Sequence, residues 1–199
     1  MGRRRVIALV GIDGTGKTTQ ARQLARWLCG QGIPASYFEN GGGRPVFDRL
    51  ARVLGRRDGV ALFGRRAYPM IEATLRGVGI ARALVWSRLT RRTAVMDRYT
   101  YCQYAMMRYR GDRGERLVQA AYSWFPRPDL VCFLAAAPDR ARDRVLARGI
   151  DTEEPDHLQA RDRAYRSLPE FGGFVVVDAD AELTVVAEAL HRAVRQSGF

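Results

Sequence analysis

The sequence predicts an α/β fold in which one parallel, doubly wound sheet of five strands is flanked by helices. Three observations carry this. Five short apolar stretches, at 6–10, 35–38, 93–96, 130–134 and 174–177, have the length and composition of buried strands. Segments with helical periodicity lie between them, the alternation that βαβ units require. The first strand runs directly into Gly11-Ile12-Asp13-Gly14-Thr15-Gly16-Lys17-Thr18, a G-x-x-x-x-G-K-T loop that opens a helix.

In chain order, 6–10 is the first strand. Thr18–Cys29 follows as an amphipathic helix, with Ala21, Leu24, Ala25 and Leu28 at helical spacing, and Gly30 and Gly32 end it. After the strand at 35–38 comes Asn40-Gly41-Gly42-Gly43, at the strand end where open α/β sheets hold ligands, or else a lead-in to the next helix. Pro45–Leu54 reads as a Pro-started helix, 55–66 as a basic loop, and Pro69–Arg92 as mostly helical. Asp97-Arg98-Tyr99 follows the third strand, and Arg116–Phe125 is helical. Pro138–Arg148 is a helix between a proline start and a glycine stop, and Gly149–Pro155 is an acidic, turn-rich segment. Helices at Asp156–Leu168 and Ala181–Val194 bracket the fifth strand. With no repeat, linker or low-complexity segment, the 199 residues read as a single domain over 1–199.

The net charge is +12, which suits an anionic ligand, or reflects a compositional preference for arginine spread along the whole chain. Lys17 is the only lysine among the 33 Lys+Arg residues, so the one ammonium stands where a compact point charge fits a phosphate cradle. Cys29, Cys102 and Cys132 are widely spaced and form no C-x-x-C, the usage of a reduced, cytoplasmic protein. Arg3-Arg4-Arg5 precedes an apolar run too short for a signal peptide, and no run approaches a membrane span.

The chemistry of the loop follows from its residue types. Gly11, Gly14 and Gly16 let backbone N–H groups approach phosphate oxygens, and the helix that begins near Lys17 points its positive end at the same oxygens. Asp13, Thr15, Lys17, Thr18 and Thr19 complete the cradle, with Lys17 reaching the β- and γ-phosphates and Thr18 a ligand for Mg²⁺. Asp97, directly after a buried strand, is placed either to hold the metal or to cap the following turn. Arg98 beside it can grip a second phosphate.

These features resemble thymidylate kinases. The resemblance rests on Gly11 to Gln20, on Asp97-Arg98-Tyr99, on Pro128-Asp129-Leu130 with its strand and Pro138, and on Arg148-Gly149. It implies a P-loop kinase fold, Mg²⁺ and ATP as phosphate donor, transfer to a nucleoside monophosphate (dTMP giving dTDP), and a homodimer. Carried over by position, Asp13 is the P-loop acid near the acceptor sugar and metal, and Arg98 holds the acceptor phosphate. Arg76 is the helix arginine near base and phosphate, or else a solvated helix residue. Glu39 lies in the loop where the family has Arg-Glu-Pro-Gly-Gly. Residues 149–155, bounded by Arg148 and Arg161, resemble the lid over ATP. Gln103 is placed to read a base edge, or is a surface residue.

The chain departs from the family pattern on the acceptor side. Phe38 and Asn40 replace the loop arginine and proline, and Val78 replaces a glutamine. Cys102 replaces a serine, and Met106 stands near a tyrosine position. The P-loop has Gly14 where some members carry arginine, and the lid carries acids and no arginine. The expectation is therefore a kinase with an intact donor half. Two alternatives remain: a same-fold kinase for another phosphorylated acceptor such as a modified nucleotide, and a nucleic-acid-associated ATPase. Without basic–aromatic interleaving, neither a stable nucleic-acid complex nor a membrane partner is expected.

Overall fold

A computed structural model describes residues 5–147, 149 and 155–199. The five strands are β1 (Val6–Val10), β2 (Ala35–Glu39), β3 (Thr93–Asp97), β4 (Leu130–Ala135) and β5 (Val175–Asp178), all parallel in the order β2-β3-β1-β4-β5. The helices are α1 (Lys17–Gly30), α2 (Arg44–Val53), α3 (Gly59–Thr90), α4 (Thr100–Arg110), α5 (Glu115–Tyr122), α6 (Pro138–Leu146), α7 (Pro155–Arg166) and α8 (Leu183–Gln196).

The period-2 geometry of a strand sends alternate side chains of β1 to opposite faces. Ile7 and Leu9 pack with Leu24 and Leu28 of α1 and Leu190 and Val194 of α8. Val6, Ala8 and Val10 pack with Ile80 of α3, Met107 of α4 and Leu158 of α7. Two hydrophobic layers thus clamp the sheet. Leu9 pairs with Asp97, and Glu39 pairs with Asp97, so β1, β2 and β3 end level with one another. Their carboxyl ends form the rim at which such sheets place ligands.

Two expectations are corrected. Residues 55–66 are not all loop: α3 begins at Gly59, where the Asp58 side chain accepts from the Ala61 N–H at 2.8 Å. Three glycines in this stretch, Gly55, Gly59 and Gly64, mimic a loop, and Gly64 does break the helix with φ 83° and ψ 156°. Pro69 lies inside α3, five residues after the break, where it supplies no N–H to the helix.

The second correction is α4, which has no counterpart in the sequence reading. Thr100, Tyr101, Cys102, Gln103, Tyr104, Ala105 and Met107 are all buried, so the helix is covered nearly all round and shows no amphipathic stripe to read. Among the described residues, no helix is long and apolar enough to cross a membrane.

Candidate active site

The loop between β1 and α1 is shaped by glycines that no other residue could replace. At Gly14, φ is 88° and a Cβ would lie 2.1 Å from the Ala141 carbonyl oxygen of α6. At Gly11, φ is 144° and a Cβ would meet the Leu134 oxygen of β4 at 2.6 Å. The loop is thereby pressed against β4 and α6. No side chain caps the start of α1 at Gly16, so its first N–H groups face outward toward the site of an anion.

Lys17 is 4% exposed and turns back over this loop. Its ammonium donates to the Ile12 carbonyl, lies 3.4 Å from the Thr15 hydroxyl and stands 3.8 Å from Asp13. Burial, and then the charge of Arg98, push the Lys17 ammonium below the usual lysine range. Thr19 follows in the first turn of α1, half-buried.

Asp13 gathers the cations. Arg98 Nη2 donates to its Oδ1 at 2.6 Å, and Arg161 Nη1 of α7 reaches its Oδ2 at 3.3 Å. Burial would raise this carboxyl. The charges of Arg98, Lys17 and Arg161, with the Arg98 hydrogen bond, outweigh that and hold it well below the usual carboxylate range.

Asp97 ends β3 and is almost fully buried. Its Oδ2 accepts from the Thr18 hydroxyl at 2.5 Å, while its Oδ1 is buried without a hydrogen-bond partner among the described residues. A carboxylate with one oxygen unspent, touching a threonine hydroxyl beside a phosphate cradle, is a donor set that fits Mg²⁺.

A pocket opens beside the loop, walled by Asp13, Arg76, Arg98, Met106, Arg161 and Tyr165, with Cys102 among its other lining residues. The structure thus joins Asp13, Arg76 and Arg98 in one wall. Gln103 is fully buried behind it: its Oε1 accepts from Arg76 Nε at 3.1 Å, and its Nε2 donates to the Pro69 carbonyl at 3.4 Å. Arg76 Nη1 is left buried with no partner among the described residues. Glu39 is exposed at the end of β2, accepts from the Tyr37 hydroxyl at 3.3 Å and does not line the pocket. Arg148 and most of the acidic 149–155 segment fall outside the described residues.

The departures from the family pattern separate by position. Cys102 and Met106 line the pocket, whereas Phe38 packs against the α3-side core and Val78 is 60% exposed. Sequence reasoning did not assign roles to Tyr165, Glu72 and Arg110, and took Arg161 only as a boundary. Glu72, one turn before Arg76 on α3, is buried and paired with Arg110 of α4. Tyr165, one turn after Arg161 on α7, lies against Cys102, and burial pushes its phenol well above the usual range. The i, i+4 spacing of each pair was visible in the sequence; that Arg76, Arg161 and Tyr165 line one pocket with the P-loop was not.

The chain is similar to known proteins over most of its length. The family described as thymidylate kinase matches residues 9–190. A thymidylate kinase of Xanthomonas campestris is 32% identical, over 95% of this chain and 82% of that protein. One from Alkalilimnicola ehrlichii is 30% identical, over 98% and 95% respectively. A probable thymidylate kinase of Pyrococcus abyssi is 30% identical, over 92% and 91%.

Proposed function

The chain belongs to the thymidylate kinase family, and from that membership and the site's geometry we propose that it transfers the γ-phosphoryl group of ATP to dTMP, giving ADP and dTDP. The observation that carries the reading is the pocket in which Arg76, Arg98 and Arg161 converge with Asp13 at the edge of the phosphate loop. Such a pocket suits an acceptor that brings its own anionic phosphate to the donor.

The loop from Gly11 to Thr18 cradles the donor phosphates, and Lys17 exchanges the Ile12 carbonyl for their oxygens. Thr18 and Asp97 would hold Mg²⁺, which would neutralise charge on the phosphate oxygens. Arg98 grips the acceptor phosphate, and Arg161 shares that task from α7. Arg76, backed by Gln103, faces the acceptor between its base and its phosphate, with Glu39 at the rim. Arg148 belongs to the lid side of the donor. The attacking oxygen is already an ionised phosphate oxygen, so no general base is needed. Catalysis then consists of positioning and charge stabilisation. The domain spans 1–199, works in the cytoplasm and pairs as a homodimer.

The test is ADP release with Mg²⁺, ATP and each nucleoside monophosphate in turn. Preference for dTMP is expected. A clear preference for a different monophosphate would favour the second reading, a same-fold kinase with a changed acceptor, to which Cys102 and Met106 in the pocket wall lend support. ATP turnover that needs DNA or RNA and no monophosphate would overturn both.

A further inference from the structure

Arg98 adopts a conformation that its residue type disfavours. Its φ is 74°, and Arg91 is the other non-glycine residue with positive φ among the described residues. Arg91 has an ordinary reason, since it ends α3 in the left-handed conformation. Arg98 ends no helix: it stands between β3 and α4 at the pocket. A left-handed conformation is unfavourable for an L-residue with a side chain and persists only where its surroundings impose it.

The constraint comes from two sides. On one, the Arg98 N–H donates to the Leu9 carbonyl of β1 at 3.1 Å. On the other stands Asn40, at the end of β2 and 1% exposed. Its side-chain Nδ2 donates to the Arg98 carbonyl at 2.9 Å, and its backbone N–H donates to the Asp97 carbonyl at 3.0 Å. One residue therefore donates to both consecutive carbonyls of the Asp97-Arg98 pair. The proline of the family's loop pattern could form neither bond, because it has no N–H and no side-chain donor.

We propose that Asn40 is a positioning residue, which locks the Asp97-Arg98 backbone so that the Arg98 guanidinium is aimed at Asp13 and the acceptor pocket. This rests on the reading of that pocket as the acceptor site. Asn40 touches no substrate; it acts through Arg98.

The test is a double-mutant cycle on dTMP affinity, measured by calorimetry without ATP or Mg²⁺. Asn40→Ala removes the side-chain bond and keeps the backbone bond. Asn40→Leu keeps a similar size and removes the donor without placing a charge in this buried position, should the alanine variant fold poorly. Each is expected to weaken dTMP about tenfold, the effect of losing one positioned hydrogen bond, with ADP affinity close to wild type and a melting temperature lowered by a few degrees, since the buried Arg98 carbonyl loses its donor. In an Arg98→Ala background, Asn40→Ala should add less than about a twofold change, as expected of residues acting as a unit. A full further loss in that background, unchanged affinity in folded single variants, or a loss confined to melting temperature would each overturn the proposal. A wild-type protein that does not bind dTMP counts instead against the thymidylate reading. The cycle is then read with the nucleoside monophosphate that binds best.

Discussion

The donor and acceptor halves of the site are built by different means. The proposed donor half is mostly backbone: a glycine-rich loop is pressed against β4 and α6, and Lys17 turns back over it to donate to the Ile12 carbonyl. The acceptor half is side chain on side chain. Asp13 collects Arg98 and Arg161, Gln103 holds Arg76, Glu72 holds Arg110, and Asn40 holds Arg98 from behind. This backbone cradle leaves no room for a side chain at Gly11 or Gly14, because the strand and helix behind it stand too close. A side-chain network can exchange members while its charge pattern survives, and this is the half in which the chain departs from its family.

The contrast is broken most severely at Lys17. Lys17→Ala should lower turnover by at least about a hundredfold, as loss of a transition-state charge clamp does, while the protein stays folded. Turnover assays beside circular dichroism check this, and unchanged turnover would sink the donor assignment.

Gly14→Ala should come next. The new methyl group meets the Ala141 carbonyl, and φ 88° is itself unfavourable for alanine by about 1–2 kcal/mol. A melting temperature lowered by several degrees, together with weakened ATP binding, is expected. A variant that binds ATP normally would show that the loop can shift away from α6.

Asp13→Asn tests the hub of the acceptor half and also carries a pH signature. The folded carboxyl titrates below its unfolded value of about 3.9, so its contribution to stability is complete above that value and disappears as pH falls through the folded one. The gap in melting temperature between wild type and Asp13→Asn should therefore stay constant from about pH 8 to pH 5 and narrow only below about pH 4. A gap that closes near neutral pH would contradict the arginine clamp.

Val78→Gln is the smallest and sharpens the contrast. It restores the family's residue, but at an exposed position outside the pocket wall. Acceptor KM should change by less than about twofold, within the range of surface substitutions. A large improvement would mean that α3 turns this face toward the substrate during turnover.

The sequence alone determined the alternation of strands and helices, the phosphate loop, and Asp97 at a strand end. Each of these is written in neighbouring residues: an apolar run, a glycine spacing, an acid directly after a strand. It also placed Arg76, Arg98 and Gln103 near one another, through the family pattern. It could not reveal α4, because a helix buried nearly all round loses the period that marks a helix. Nor could it reveal which partner each charged group takes. Asp13 and Arg161 are 148 residues apart, Asn40 and Arg98 58. Contacts of that span exist only once the parallel sheet brings the ends of β1, β2 and β3 level, and strand register rather than local propensity sets that alignment.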